Sequence, residues 1–336
     1  MFAFPVLIGD IGGTNSRFAV VPQPGRAHVP LPRLLTASTP EPVEAIRDAL
    51  SHYSGPPPRS AMIAVANRVD SPVVRLTNAD WTIDAGAIGR ALGLGRVVLV
   101  NDYTPVAASA ITFAPKDEGL ARIGPDAPAG PGPRLVLGPG TGLGAGALAP
   151  VADRFAILAS EAGHMELGPA EEDEFRLWPH LERVGGRITA EVVLSGPGLC
   201  RLCHALAALR DETNPLATPP EVLRAWREQH SSLAGAALAL FARLLGRFAG
   251  DLALALEATG GVYIAGGIPP RITDLLNSGG FRAAFEKKAP HQAWAAHVPT
   301  FVITDPDPAL RGLAVLVSEP ERFTFQFREW AANRSA

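Results

Sequence analysis

Cysteine is almost missing from this chain: its 336 residues include two, Cys200 and Cys203. Two thiols three positions apart cannot staple a small scaffold, so a disulfide framework is excluded and a reducing compartment fits. Their Cys-x-x-Cys spacing has no second ligand pair to make a zinc site, and His204 beside them completes a haem-attachment spelling only by coincidence. The surrounding run is apolar and helical, so we expect two buried helix thiols. Charge is sparse too: Asp, Glu, Lys and Arg supply 19% of the chain and the net charge is −3. That balance gives no basic face for nucleic acid and no reason to expect an anionic membrane partner. Residues 1–21 are apolar but lack a basic leading segment, and Asp10 interrupts them, so no secretion signal is expected. Residues 135–152 carry no charge, yet five glycines and two prolines there suit a strand–loop–strand, and the apolar run 231–242 is too short to span a bilayer. No GxxxxGK[ST] stretch is present, which excludes the common nucleoside-triphosphate loop. A soluble, cytoplasmic protein is the expectation.

The chain is instead rich in core-forming residues, 47% by the hydrophobic set, with a mean hydropathy of +0.14. Its length predicts two domains. Thirty-four glycines and 32 prolines predict many turns. Residues 6–10 read as a buried strand, 11–15 as a tight glycine turn and 17–21 as the returning strand. Further strands are expected at 61–66, 97–100, 135–137, 145–149 and 261–265. Helices are expected at 40–53, 105–111 and 308–317, and across 221–257 with a break near Ser231. Arg243, Arg247 and Asp251 recur every four residues on that last segment and so share one polar stripe. Residues 115–133, dense in Gly and Pro, read as a loop.

One pattern occurs twice. A strand, a turn containing Gly13-Thr14 and a strand come early; a strand, Gly138-Pro139-Gly140-Thr141-Gly142 and a strand follow about one domain later. A strand rather than a helix after the glycines argues against a dinucleotide fingerprint. Successive amides around glycines form an anion cradle, and a carboxylate just after a buried strand, Asp10, suits a metal or its waters there. Asn101-Asp102 ends an apolar strand, where α/β folds bind ligands. Asp102 reads either as the cap of the next helix or as a general base with Asn101 holding a hydroxyl beside it. Glu161 and His164 lie three apart and can take neighbouring hydroxyls. Glu191 alone reads as a solvated helix acid.

Together these stretches resemble the bacterial glucokinase family of the hexokinase and actin-like ATPase superfamily. The resemblance is carried by Gly9-Asp10-Ile11-Gly12-Gly13-Thr14-Asn15, Asn101-Asp102, Gly140-Thr141-Gly142-Leu143-Gly144, Glu161-Ala162-Gly163-His164, the run Ala190-Glu191-Val192-Val193-Leu194-Ser195-Gly196-Pro197-Gly198, and Ile264-Ala265-Gly266-Gly267-Ile268, in that order, with Thr77-Asn78 and Trp81 also similar. It implies an α/β, two-lobed actin-like (ribonuclease H-like) fold with a cleft, residues 1–111 plus about 312–336 making the small domain and 112–311 the large one. It implies an ATP-dependent glucokinase, with a kinase for another hexose or a catalytically silent sugar-binding regulator on the same fold as the alternatives. Asn101, Asp102, Glu161, His164 and Glu191 would bind glucose, Asp102 also serving as the base. Gly9, Asp10, Ile11, Gly12, Gly13, Thr14, Gly138, Gly140, Thr141 and Gly142 would hold phosphates, Gly266, Gly267 and Ile268 would lie along the adenosine, and Asp10 would hold Mg2+ through water. A homodimer is implied as well. Two positions depart from the family pattern: Ala162 replaces a frequent glycine and Glu166 a shorter Asp. The cysteine-rich zinc motif of the ROK branch is absent, so zinc is not expected.

Overall fold

Val6–Ile11 is a strand of apolar residues broken only by Gly9 and Asp10, and its neighbours on both sides explain why. In the computed structural model, which describes residues 1–332 apart from 77, 78, 115, 215 and 230, it lies inside a mixed sheet. The strand order is Arg328–Ala331, Arg96–Asn101, Ser60–Val65, Val6–Ile11, Asn15–Val21 and Val29–Pro30, with Leu34–Leu35 also pairing to Asn15–Val21. Val6–Ile11, Ser60–Val65 and Arg96–Asn101 run parallel, and their register puts Ile11 level with Val65 and Val65 level with Asn101. Strands covered on both faces read as continuous apolar runs, which is how all three appear in the sequence. The parallel register collects their carboxyl ends at one edge, where ligands bind in such sheets.

The chain forms two compact units, one of Met1–Pro115, Leu148–Ala159 and Asp305–Ala336, the other of Lys116–Ala147 and Ser160–Thr304. In the first, the helix Pro308–Ser318 packs on Tyr103–Ser109 so closely that a methyl at Gly312 would overlap the Pro105 carbonyl. In the second, Arg134–Pro139, Val262–Ile264 and Thr300–Ile303 run parallel, with Leu120–Ile123 antiparallel at the edge and the start of Leu143–Val151 beside Arg134–Pro139. The expected positions of these elements hold to within about two residues. Helices such as Ala85–Leu92 and Gly280–Glu286 were not marked by any local pattern, nor were strands such as Leu120–Ile123 and Arg328–Ala331. Leu120–Ile123 falls inside the stretch read as a loop; it becomes a strand by pairing with Thr300–Ile303, Arg122 stacking 4.9 Å over the Phe301 ring. Arg328–Ala331 pairs with Arg96–Asn101, and Trp330 fills the space left by Gly86 and Gly89. Thr77 and Asn78 lie outside the described residues.

Ser231 does break the long helical segment. Pro219–Gln229 ends before it, and its hydroxyl caps Ser232–Ala255 by accepting from the Ala234 N–H. At 24 residues this second helix is long and apolar enough to cross a membrane, but 72% of its most apolar window is buried in the second unit, against the Gly280–Glu286 and Gly196–Arg210 helices. Its charged stripe is what the sequence pattern suggested. Arg243 donates to Asp173 at 2.7 Å, Arg247 donates to the Gly168 carbonyl at 2.7 Å, and Asp251 pairs with Lys288 at 2.9 Å. Both arginines converge on Glu174, whose side chain is fully buried and also accepts from the Ala170 N–H at 2.9 Å. Cys200 and Cys203 are buried free thiols on Gly196–Arg210, and burial pushes Cys203 up to about 12.

A buried carboxylate is tolerable only while its partners remain. Arg247→Met keeps the volume but leaves Glu174 with Arg243 and one amide. The expected loss in urea denaturation is about 3 kcal/mol, the low end for breaking a buried pair because Arg243 stays; a loss below about 1 kcal/mol would show that the cluster is energetically neutral.

Candidate functional site

The first glycine turn is held from behind. Gly12 N–H donates to the Asn15 carbonyl at 3.0 Å, closing the turn. The fully buried Thr36 then takes the turn's other groups: its hydroxyl donates to the Gly12 carbonyl at 2.8 Å and lies 3.0 Å from Ser16 Oγ, and its N–H donates to the Thr14 carbonyl at 3.0 Å. In a planar trans peptide the carbonyl and the following N–H point opposite ways. With the Gly12 and Thr14 carbonyls fixed on Thr36, the N–H groups of Gly13 and Asn15 face away from it, and the Thr14 side chain is exposed. Outward-facing amides around glycines are the arrangement from which anion sites are built. Gly9 and Ile11 sit deeper: Gly9 is bare because a methyl would meet the Phe18 ring at 2.9 Å, and Ile11 is core. Thr36 lies 24 residues from Gly12 and belongs to no motif, so sequence reasoning missed it.

Asp10 lies one residue before that strand's end with its side chain 16% exposed, 3.1 Å from Arg17, which also approaches Asp307 at 3.3 Å. Asp307 receives two further bonds from Arg33, at 2.9 and 2.8 Å. Burial pushes the Asp10 carboxyl above the usual carboxylate range while Arg17 pulls it back. Two strands away, Asn101 Oδ1 accepts from the Tyr103 N–H at 2.9 Å and its amide donates to the Asn67 carbonyl at 3.2 Å. Asp102 stands at the cap position of Tyr103–Ser109 but has helical dihedrals, φ −61° and ψ −27°, and its side chain makes no cap bond. Asn101 does that work, so the capping reading of Asp102 fails. Burial, with the Asp102 and Asp10 carboxylates near, pushes the Tyr103 hydroxyl far above its ordinary value. The first unit thus gathers Asp10, the Gly12–Thr14 turn, Asn101 and Asp102 at one sheet edge.

The second unit gathers the rest. Gly140 N–H donates to the Gly142 carbonyl, and the Gly140 carbonyl accepts from Gly196 N–H, both at 2.8 Å. Glu191 Oε2 accepts from the Leu143 N–H at 2.8 Å. Gly266 has φ +91° and sits where a methyl would overlap the Pro139 carbonyl, so the Gly266-Gly267 turn lies against the Gly138-Pro139 peptide; Gly267 has open space around it and Ile268 is buried. Glu161 and His164 flank the short helical turn Ala162–His164, their Oε2 and Nε2 3.7 Å apart and both side chains more than half exposed. A methyl at Gly163 would overlap the Leu143 carbonyl, so this turn rests on the end of the second glycine loop. Ala162 is accommodated as a core residue. Glu166 is turned to Arg187, 3.1 Å away, which also donates to the His164 carbonyl at 3.2 Å. Arg187, a residue no motif marked, thereby fixes the backbone of His164.

A model of the glucokinase family matches residues 7–320. The chain is 39% identical over 335 residues to the glucokinase of Brucella suis biovar 1 (strain 1330), covering 99% of this chain and 97% of that protein, and 39% identical over 331 residues to the glucokinase of Mesorhizobium japonicum, covering 98% and 96%. The chain belongs to the glucokinase family. A glucokinase structure from an Antarctic psychrotroph superposes with a TM-score of 0.80 at 29% identity, covering 93% of this chain and 98% of that one. A ROK family glucokinase from Streptomyces griseus, at 22% identity, shares the fold with a TM-score of 0.64 over 93% of this chain and 98% of that one. The fold expected from the sequence, the α/β fold of actin-like sugar kinases, is therefore the one observed.

Thr36 yields a test of the first cradle. Thr36→Val keeps the shape and removes the hydroxyl, leaving the Gly12 carbonyl without its partner at a cost of about 1–2 kcal/mol, or about 5–30-fold. The Michaelis constant for the phosphoryl donor should rise by that factor, while Thr36→Ser stays near wild type. Equal constants in all three proteins would remove Thr36 from the cradle.

Proposed function

We propose that this member of the glucokinase family transfers the terminal phosphoryl group of ATP to the 6-hydroxyl of glucose. The observation that carries the reading is Asp102, a partly exposed carboxylate at the carboxyl end of a parallel strand, level with the strand end that bears Asp10 and diverted from helix capping by Asn101. Asp102 accepts the hydroxyl proton as the sugar oxygen attacks the phosphorus in line. Phosphoryl transfer asks the protein mainly for positioning and charge neutralisation, and both glycine turns are built for that. Amides of the Gly12–Thr14 and Gly138–Gly142 turns and the hydroxyls of Thr14 and Thr141 bind phosphate oxygens. Gly266, Gly267 and Ile268 lie along the adenosine. Asn101, Glu161, His164 and Glu191 bind the remaining sugar hydroxyls.

The donor set fits Mg2+. Among the described residues no three His, Cys, Asp or Glu side chains cluster as a metal cage. Mg2+ in kinase sites needs only one or two carboxylates, the rest of its shell being phosphate and water. Asp10 meets that need, and bound Mg2+ would neutralise phosphate charge. The Streptomyces griseus structure, solved in complex with glucose and AMPPNP, supports the pairing of sugar and nucleotide. We further read the protein as a cytoplasmic homodimer.

Asp102→Asn preserves shape and cannot accept a proton. Its kcat should fall about 10²–10⁴-fold while glucose binding, followed by calorimetry, survives at reduced strength; near-normal kcat would refute the role. A hexose panel with ATP, ADP and polyphosphate in a coupled assay checks the substrates. His164→Ala should raise KM for glucose far more than KM for ATP, because a site built to pair hydroxyls loses heavily when a partner is missing. An equal rise in both constants would place His164 outside the sugar site.

A further inference from the structure

The sugar cluster and the second phosphate loop are one construction. Glu191 is the single residue of the short helix Ala190–Val193 that is not buried in the core. Its Oε2 accepts from the Leu143 N–H at 2.8 Å, and a methyl on Gly142 would overlap that same oxygen. Five residues on, Gly196 N–H holds the Gly140 carbonyl at 2.8 Å, so the segment from 191 to 196 grips the turn on both sides. The opposite group of Leu143, its carbonyl, is the surface on which Gly163 of the Glu161–His164 turn rests. Leu143 thus lies between two carboxylate-bearing segments read as sugar-binding.

We propose that Glu191 couples sugar and nucleotide binding: one carboxylate oxygen fixes the Gly140–Leu143 loop while the other takes a sugar hydroxyl. A carboxylate has acceptor capacity for both bonds at once. The proposal rests on the reading of Glu191 as a sugar ligand and adds that the same side chain positions the phosphate loop. Its consequence is reciprocal. A bond from a sugar hydroxyl orients the carboxylate and hence the loop, and a nucleotide that orders the loop orients the carboxylate for sugar. Linkage makes the two effects equal in magnitude.

Each end is tested on the other's ligand, by calorimetry with the purified full chain, thermal melts confirming the fold. Gly142→Ala lies on the phosphate turn, but its methyl displaces the carboxylate. Glucose titrated without nucleotide should bind about tenfold more weakly, the scale of one charge-assisted hydrogen bond. Gly140→Ala, whose methyl meets open space on the same turn, should weaken glucose binding several-fold less. In the reverse arm, Glu191→Ala should weaken AMPPNP with Mg2+ about tenfold with no sugar present, and Glu191→Gln, which keeps an acceptor for the Leu143 N–H, should recover most of that loss. Normal glucose affinity in Gly142→Ala, or normal AMPPNP affinity in Glu191→Ala, overturns the coupling. Wild-type protein that binds no glucose overturns the assigned substrate instead, and the AMPPNP arm still decides whether Glu191 holds the loop.

Discussion

The carbonyls of both glycine turns are taken from behind: Gly12 and Thr14 by Thr36, and Gly140 by Gly196. The rest of the site depends on this. A glycine turn can adopt many conformations, and glycine has more freedom to lose than any other residue. Tying the Gly12 and Thr14 carbonyls down selects a conformation in which the Gly13 and Asn15 amides face away from Thr36. Preorganised dipoles of that kind do not have to reorient when charge arrives, which is the condition for electrostatic catalysis.

The charged groups follow the same logic at larger scale. Asp10, mostly buried, is accompanied by Arg17, which in turn approaches Asp307, itself held by Arg33. Glu174, wholly buried, has two arginines and an amide. The first chain of charges places a carboxylate beside the first glycine turn; the second anchors residues 168–174 to the long core helix, in the stretch between the His164 turn and Glu191. Neither arrangement stabilises much by itself, since desolvation offsets most of the attraction. Their value lies in fixing positions.

Much of the candidate site was legible because its parts are local. Gly12-Gly13-Thr14, Gly140-Thr141-Gly142 and Asn101-Asp102 each lie where a strand ends, and a strand end followed by glycine or by a carboxylate is visible without knowing what packs against it. The apolar runs 6–10, 61–66 and 97–100 announced strands covered on both faces. The break at Ser231 and the stripe of Arg243, Arg247 and Asp251 were equally local, set by a cap and by helical periodicity.

Other parts were decided by residues far apart. Leu120–Ile123 and Arg328–Ala331 are strands only because Thr300–Ile303 and Arg96–Asn101 offer them an edge. Thr36 reads as an ordinary threonine until the pairing of Leu34–Leu35 with Asn15–Ser16 brings it under the turn. Asp102 could have been a cap until Asn101 took that bond, and Glu191 a solvated acid until Leu143 reached it. The sequence by itself determined which residues are candidates for phosphate, sugar and metal, because that is a matter of side-chain chemistry and local turn geometry. Tertiary structure decided which of their hydrogen-bonding groups are spent on the protein and which face outward, because each backbone amide and carbonyl must find a partner and only the packed chain supplies the distant ones.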